Sequence, residues 1–488
     1  MAEIPLYKQF AEQLAASISA GVLQPGEKIA SVRLASQQHK LSVTTVVRAY
    51  ELLESRGVIE SHPQSGYFVR KQALADQAPA ARVASAPAYI DNPAYQQSTE
   101  VDVSRLVLAT LKTIQQDGTV PLGSPYPNPA LFPSQRITQY TARITRNASQ
   151  SSVFDDLPPG HPDLLRQIAR RYLENGLKVD PADIVVTVGA TEAINLCLQA
   201  VARPGDTVAV ETPTFYAMLH AIERLGMRAL EIPTDPQFGI DVDALEHAIK
   251  TQKVSACMVM PNFQNPLGFQ MPDTAKQRLV QLAREHDMPL IENGVYGELH
   301  YGNAHPTSLK TYDRPGEQGL VLHCSSFSKS LTSAYRIGWA MPGRYRAQVE
   351  KLKFLNTLAT PTVPQRAIAE YLTQGGYERH LRRVRRIFTQ QRDLMRHFVL
   401  RFFPEGTQVS EPQGGYVLWV ELPAGVDAME LYRRCLALGI TIAPGRIFAA
   451  TNRYSHFIRL NYSYTWSKEI EQALKLVGKL VQELMDSA

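Results

Sequence analysis

One segment of the sequence, residues 324–339, places a single lysine among small hydroxyl side chains. Lys329 follows Ser326 and Ser328, and Arg336 comes seven residues later. A lysine amine can form a Schiff base with an aldehyde, and serine hydroxyls and a planar guanidinium bind phosphate oxygens. The segment therefore suits a cofactor that carries both an aldehyde and a phosphate. A lone lysine among serines is also typical of a solvated surface.

The elements that must position this lysine are strands and helices in alternation. From about residue 120 to the end of the chain, apolar strand-like runs alternate with helical stretches. This alternation is typical of an α/β fold with a mostly parallel sheet, in which ligands bind at the carboxyl ends of the strands. The predicted strands are 184–188, 207–210, 256–260, 289–291 and 320–322.

Candidate binding residues follow several of these strands. Ala190 and Thr191 lie in a glycine-led turn that opens a helix, a common arrangement for binding anions. Phe215 follows the next strand and either lies flat on a heteroaromatic ring or packs in the core. Asn265 precedes a proline, and its amide can donate to a phenolate oxygen. Arg459, in a strand-like run near the end of the chain, is either a surface residue or a carboxylate clamp.

Taken together, these segments resemble the fold-type I aminotransferases, which depend on pyridoxal 5'-phosphate. The Ser-x-Ser-Lys sequence ending at Lys329, the Arg-Ile-Gly sequence from Arg336 and the strand ends follow the family's order over most of residues 120–488. The resemblance implies a large domain with a mostly parallel sheet and a small α+β domain. It also implies that Lys329 is the catalytic, Schiff-base residue and that Arg459 holds the carboxylate of an amino acid. The remaining cofactor-binding residues that it implies are Ser326, Ser328, Arg336, Ala190 and Thr191 at the phosphate, Phe215 on the ring, and Asn265 and Tyr296 at the phenolic oxygen.

The sequence departs from this family beside the ring nitrogen. The family has an aspartate two or three positions before the tyrosine, and this aspartate keeps the nitrogen protonated so that the ring accepts electrons. Asn293 and Gly294 stand there, and strand alternation should direct Glu292 to the other face. We therefore expect Asn293 to contact a cofactor that binds but supports transamination poorly.

A second departure concerns a tyrosine that the family takes from the partner subunit. Asp155 occupies this position, and a shift of one residue would bring Phe154 there without a hydroxyl.

The first seventy residues show three short amphipathic helices followed by two strands. An apolar residue recurs every four positions from Leu6 to Ile18, and Ser42 is a good N-cap for the third helix. Three helices and a two-stranded wing form a winged helix-turn-helix, although a small helical bundle shows the same helical pattern. The predicted DNA-binding residues are outward-facing donors and cations and a wing glycine: Ser31, Arg33, Ser42, Thr44, Thr45, Arg48 and Gly66.

The sequence of residues 4–70 resembles the DNA-binding domain of the GntR regulators. The resemblance rests on Pro-Leu-Tyr at 5–7, Ser-Val-Arg at 31–33, Ser-Val-Thr-Thr-Val at 42–46 and Ser-Gly-Tyr-Phe-Val at 65–69. Ala30 stands where the family usually has proline. A GntR domain followed by an aminotransferase-like region is the plan of the MocR subfamily of transcription regulators, and the chain is identified as a member.

Composition adds little to this hypothesis but excludes some classes. A formal net charge of +5 on 488 residues is too small to indicate nucleic-acid binding by itself. Four cysteines without metal or redox spacing, no signal peptide and no long apolar run predict a cytoplasmic protein without a metal site or membrane segment. Five arginines between residues 379 and 386 either contact DNA or form a solvated helix face.

The sequence therefore predicts a DNA-binding domain at 1–70, a flexible linker at 71–100 and a sensing and dimerising domain at 101–488. The leading hypothesis is a homodimeric regulator that binds a double-stranded DNA operator. It would sense an amino acid or amine that exchanges onto the aldehyde at Lys329. The alternative is an active aminotransferase with an accessory DNA-binding head, and a third possibility is a vestigial cofactor site in a region that only dimerises.

Overall fold

The computed structural model describes residues 5–19, 23, 26–39, 41–55, 58–62, 66–69, 97–114, 118–146, 157–302, 304–314 and 318–487. The chain divides into two compact units, Met1–Pro79 and Ala80–Ala488. Most of the predicted linker, residues 71–96, and the predicted departures at Phe154 and Asp155 lie outside the described residues. No helix in the described part of the chain has the length and apolar character needed to cross a bilayer.

The first unit is a three-helix bundle with a two-stranded hairpin. Its apolar core includes Phe10, Val46, Tyr50 and Leu53, which lie on the inner faces of the first and third helices. The elements are α1 Leu6–Ser19, α2 Val32–His39, α3 Val43–Ser55, β1 Ile59–His62 and β2 Gly66–Val69. Strands β1 and β2 pair antiparallel. The predicted winged helix-turn-helix is confirmed.

The second unit contains a nine-stranded mixed sheet covered by helices on both faces. Its first part comprises β3 Thr99–Glu100, α4 Ser104–Ile114, α5 Ser134–Arg146, α6 Pro162–Glu174, β4 Val185–Val188, α7 Gly189–Val201, β5 Thr207–Thr212, α8 Tyr216–Arg224, β6 Arg228–Asp235, β7 Gly239–Ile240, α9 Val242–Thr251, β8 Ala256–Val259, α10 Asp273–Glu285, β9 Leu290–Asn293, β10 Val321–Ser326 and β11 Ile337–Met341. The strand order is β3-β6-β5-β8-β9-β10-β11-β4, with β7 beside β6. The run from β6 to β10 is parallel, so its carboxyl ends meet at one edge.

The remainder of the second unit forms a smaller α+β part. It comprises α11 Arg346–Thr357, α12 Thr362–Thr373, α13 Gly376–Phe402, β12 Gln408–Val409, β13 Val417–Glu421, α14 Ala428–Ala437, β14 Ala443–Pro444, β15 Phe457–Asn461 and α15 Lys468–Asp486. The four strands pair in the order β12-β13-β15-β14. The predicted α/β fold with a small α+β part is confirmed.

The start of this unit corrects one predicted boundary. Thr99 and Glu100 pair with Ala229 and Arg228 as the edge strand of the large sheet, and Arg228 also donates to the Ser98 carbonyl. The chain therefore joins the sheet before residue 101, where the flexible linker was expected to end.

Candidate functional site

An anion cradle forms where β4 passes directly into α7. Gly189 has a φ of +76°, and a Cβ at this position would lie 2.5 Å from Nη2 of Arg336. The first turn of α7, with Ala190 and Thr191, therefore starts beside the guanidinium. Nη1 of Arg336 donates to the Ser328 hydroxyl at 3.1 Å. A helix N-terminus, a guanidinium and a hydroxyl at one point make a site for phosphate.

Two further contacts tighten this cradle. A Cβ on Gly338 would lie 2.5 Å from the carbonyl carbon of Gly189, so only glycine lets β11 approach the start of α7 this closely. The Ser328 amide donates weakly to the hydroxyl of Ser326, which is buried at the end of β10. The structure thus brings together the phosphate residues that the sequence predicts.

Lys329 lies just beyond β10 with its amine directed at backbone and an aromatic ring. Its Nζ donates to the Pro125 carbonyl at 2.8 Å and lies 4.4 Å from the centre of the Tyr126 ring. Burial lowers the pKa of Lys329 to about 7, and the positive charges of Arg459 and Arg336 contribute to this shift. A large fraction of the amine is therefore neutral near pH 7, as a nucleophile requires.

Asn265 and Tyr296 meet on the side of the site predicted for the phenolic oxygen. Burial raises the pKa of Tyr296, and hydrogen bonding with Tyr416 and Asn265 partly offsets this effect. The Oδ1 atom of Asn265 is buried and has no hydrogen-bond partner among the described residues. Phe215 caps the start of α8 with its ring 4.5 Å from that of Tyr216, partly exposed.

Strand β9, which precedes Tyr296, carries Asn293 and no carboxylate on the face of the sheet that α7 covers. Asn293 pairs in register with Cys324, whose Sγ lies 3.6 Å from Cys197 on α7, so its side chain is on the α7 face. Glu292 is on the opposite face, where its carboxylate lies 2.9 Å from Nδ1 of His323. The prediction that Glu292 points away is confirmed.

Gly294 has a steric reason to lack a side chain. A Cβ at this position would lie 2.4 Å from Cε1 of His323, a residue whose other ring nitrogen lies 2.7 Å from the Tyr172 hydroxyl. The absence of aspartate at residue 294 and the presence of histidine at residue 323 are thus coupled by packing.

Arg459 is buried with part of its guanidinium unpaired. The residue is 1% exposed, its Nη2 donates to the Gly123 carbonyl at 2.6 Å, and its cation lies over the Phe448 ring. Its Nε and Nη1 atoms have no hydrogen-bond acceptor among the described residues. A buried guanidinium with unpaired donors is costly unless a ligand satisfies it, and a carboxylate matches its planar geometry. The sequence alternative of an ordinary surface arginine is therefore wrong.

In the first unit, the predicted contact residues lie at the starts of α2 and α3 and in the wing. The Ser42 hydroxyl accepts from the Thr45 amide at 3.1 Å, so this serine caps α3 as its residue type predicts. Ser31 likewise accepts from the Leu34 amide at the start of α2. Thr44, Arg33 and Arg48 are exposed, while Thr45 is half-buried and Gly66 opens β2 with a φ of +97°.

Sequence reasoning missed Pro125, Tyr126 and Tyr416, which contact the predicted site residues. The Pro125 carbonyl accepts from both Lys329 and Tyr416, and the Tyr126 ring faces the lysine amine. Because Pro125 lies about two hundred positions before Lys329, no local spacing could reveal the contact. An aromatic residue between prolines at 125 and 127 was the only available signal.

The cofactor that this geometry suits is pyridoxal phosphate. The cradle matches a phosphate, Lys329 supplies the amine, and the unpaired donors of Arg459 are buried polar atoms that a bound carboxylate would satisfy.

Comparison with known proteins assigns a family to each of the two units. Residues 6–69 match the family of bacterial regulatory proteins, gntR family, and residues 126–477 match aminotransferase class I and II. The chain is 41% identical over 477 residues to the uncharacterized HTH-type transcriptional regulator YdcR of Escherichia coli (strain K12), covering 98% of this chain and 99% of that protein. It is 36% identical over 483 residues to YjiR, an uncharacterized HTH-type transcriptional regulator of the same strain, covering 98% and 99%.

A solved structure supports the assignment of the second unit. The α-aminoadipate aminotransferase LysN from Thermus thermophilus, complexed with N-(5'-phosphopyridoxyl)-L-leucine, superposes with a TM-score of 0.71 at 28% identity, covering 78% of this chain and all of that one. The chain therefore belongs to the HTH-type transcriptional regulators of the GntR family that carry a class I and II aminotransferase domain, the MocR plan, and its cofactor is pyridoxal phosphate.

Proposed function

We propose that the protein is a DNA-binding transcription regulator that senses an amino acid or amine at its pyridoxal phosphate site. The first unit binds a double-stranded operator through α3 and its wing. When bound, the cofactor supplies an aldehyde with which amines react. The observation that carries the proposal is the lack of a carboxylate at Asn293 and Gly294, beside a site that keeps a neutral lysine and a carboxylate-binding arginine.

In the second unit, different residues contact the carboxylate end and the amine end of the effector. Arg459 offers two unpaired N–H groups to an effector carboxylate, while Lys329 and the Pro125 carbonyl lie at the amine end. An effector changes the regulator only if it binds two conformations unequally. The segment containing Pro125 contacts Lys329 through Pro125 and Arg459 through the Gly123 carbonyl, so it would respond to both ends of an amino acid.

The alternative, a working aminotransferase with an accessory head, is less favoured. A neutral asparagine cannot hold the pyridine nitrogen in its protonated form as an aspartate does. Incubation with amino donors and keto acids tests this point. We expect no more than about one equivalent of keto acid per subunit, and multiple turnovers would support the alternative.

The DNA-binding claim is tested on fragments recovered by mapping the bound sites across the genome. Arg48→Ala removes an exposed cation on the outer face of α3 and should weaken binding by about 1–3 kcal/mol, or roughly 5–150-fold. Lys8→Ala removes the same charge from the exposed face of α1 and serves as the control. Equal affinities for both variants would contradict the proposed contact face.

We also propose that the protein works as a homodimer in the cytoplasm. Phe354, Leu355 and Leu358 form an exposed apolar patch at the end of α11, where Leu355 is 66% exposed. Contact with a second copy would remove this patch from water. Leu355→Asp should therefore shift the protein from dimer to monomer in light scattering, whereas Leu438→Asp, at a separate leucine that is 53% exposed, should not. A monomeric wild type would refute this part of the proposal.

A further inference from the structure

The net charge of the chain is concentrated in α13 and not in the DNA-binding unit. Residues 1–70 carry seven Lys and Arg against six Glu, a net charge of +1. Helix α13 carries eight Arg against one Glu and one Asp, a net charge of +6, whereas the whole chain carries +5. Because phosphate neutralisation supplies most of the non-specific affinity for DNA, exposed cations outside the first unit can add to that affinity.

Four of these arginines share one exposed face of the helix. They occupy positions i, i+3, i+4 and i+7, which lie together on an α-helix, and all four are exposed. No carboxylate lies within salt-bridge distance of any of them in the part of the chain that the structure describes. We call this set the arginine stripe; it consists of Arg379, Arg382, Arg383 and Arg386.

Other arginines of the same helix show what a structural role looks like. Arg385 donates to the Glu298 carbonyl and pairs with Glu378 at 3.2 Å, and Arg392 donates to the Pro412 carbonyl. These side chains hold α13 against its neighbours. The stripe makes no such ion pairs, so packing does not explain its charge.

The chemistry of the stripe favours a phosphate backbone. Arginine binds phosphate with a rigid planar fork, and α13 contains no lysine. The stripe spans about 10 Å at 1.5 Å per residue, a length matching about three phosphates of one strand at 3.4 Å each. Binding sites for single-stranded nucleic acid add aromatic rings on which bases stack, and residues 379–386 expose none. Arg136 extends the positive surface, because it acts on the same side chain as Arg379: burial raises the pKa of Tyr371, and the charges of both arginines partly offset this rise.

We propose that the arginine stripe is a second DNA-binding surface, which contacts the backbone of duplex DNA outside the segment bound by the first unit. This inference rests on the proposed DNA-binding function. The chain between Val69 and Gln97 has enough residues to span up to about 95 Å when extended, so its length does not prevent both surfaces from reaching one duplex.

The test is the salt dependence of binding to a labelled 60-bp duplex of mixed sequence, measured by fluorescence anisotropy with the full-length protein between 100 and 300 mM salt. In the stripe variant all four arginines are replaced by glutamine. Each lost phosphate contact reduces the magnitude of the negative slope of log K against log salt by about 0.9, so the loss of two to three contacts should reduce it by about 1.8–2.7. The control variant removes the same charge elsewhere on the second unit through Arg433→Gln, Arg434→Gln, Lys475→Gln and Lys479→Gln.

A decrease smaller than about 0.9 relative to the control variant corresponds to less than one phosphate contact and would overturn the inference. Such a result would direct attention to an acidic protein or RNA as the partner of the stripe. Replacing the four arginines by lysine should restore most of the slope, because the charge is retained. If Arg48→Ala still impairs binding to genomic sites while the stripe variant behaves like the control, the proposed function stands and only the second surface fails.

Discussion

Removing the charge of Arg459 should slow the loading of pyridoxal phosphate at low pH and leave it nearly unchanged at high pH. A lysine amine reacts with an aldehyde only when it is unprotonated. The pKa of Lys329 is lowered to about 7, first by burial and then by the charges of Arg459 and Arg336. At pH 7 about half of these amines are therefore neutral, against about one in 2,500 for an ordinary lysine.

The size of the effect follows from the order of these causes. Burial is the largest cause of the fall in the pKa of Lys329 and Arg459 is the next, so Arg459 accounts for less than half of that fall. We expect Arg459→Gln to raise the pKa of Lys329 by about one unit. The neutral fraction then falls from about 9% to about 1% at pH 6, but only from about 99% to about 91% at pH 9.

The assay mixes cofactor-free protein with pyridoxal phosphate between pH 6 and 9 and follows the visible absorbance of the bound cofactor in time. The loading rate of the wild type should rise with pH to a midpoint near 7, and that of Arg459→Gln should have its midpoint near 8. Arg434→Gln, a surface change on α14, controls for the loss of a positive charge. A wild-type midpoint above pH 9, or the same midpoint in all three proteins, would refute the electrostatic argument.

Three further predictions concern two glycines and the missing carboxylate. Gly189→Ala should lower cofactor affinity and the unfolding temperature, because its Cβ would lie 2.5 Å from the guanidinium of the phosphate cradle. Gly118→Ala is the control, since Gly118 has a similar φ of +79° but its Cβ would meet nothing within 4 Å. Equal effects of the two substitutions would show that backbone strain alone is responsible. Asn293→Asp should increase keto-acid formation from amino donors at least tenfold, since it restores a charge on the cofactor side. Gly294→Asp should instead lower the unfolding temperature, because its Cβ would meet the His323 ring at 2.4 Å, and unchanged melting would argue against that coupling.

Much of the site could be predicted because its chemistry sits at the ends of strands. Lys329 and Arg336 flank the turn between β10 and β11, and residues 190 and 191 open the helix after β4. Parallel strands bring their carboxyl ends together, so local sequence was enough to group these residues.

The contacts across long sequence separations could not be predicted in the same way. The Pro125 carbonyl receives Lys329 and Tyr416, residues about 200 and 290 positions away. The clash between a side chain at residue 294 and His323 depends on the register of β9 with β10, which periodicity does not fix. The Ser42 cap was predictable from residue type, whereas Ser31, which also caps its helix, was predicted only as a DNA contact.

Under the proposed function, the features expected to weaken catalysis are the same ones that suit a sensor. A site that turned its amino acid over would consume the signal that it reports, whereas one that only binds reads its concentration. Under the proposed function, Arg459 keeps unpaired donors for the effector carboxylate and Lys329 keeps a neutral amine, so recognition at both ends of an amino acid is retained. Asn293 removes only the charge that makes the ring an electron sink. His323 closes residue 294 to any larger side chain, so a carboxylate can return by one substitution at residue 293 but at residue 294 only together with a change at residue 323.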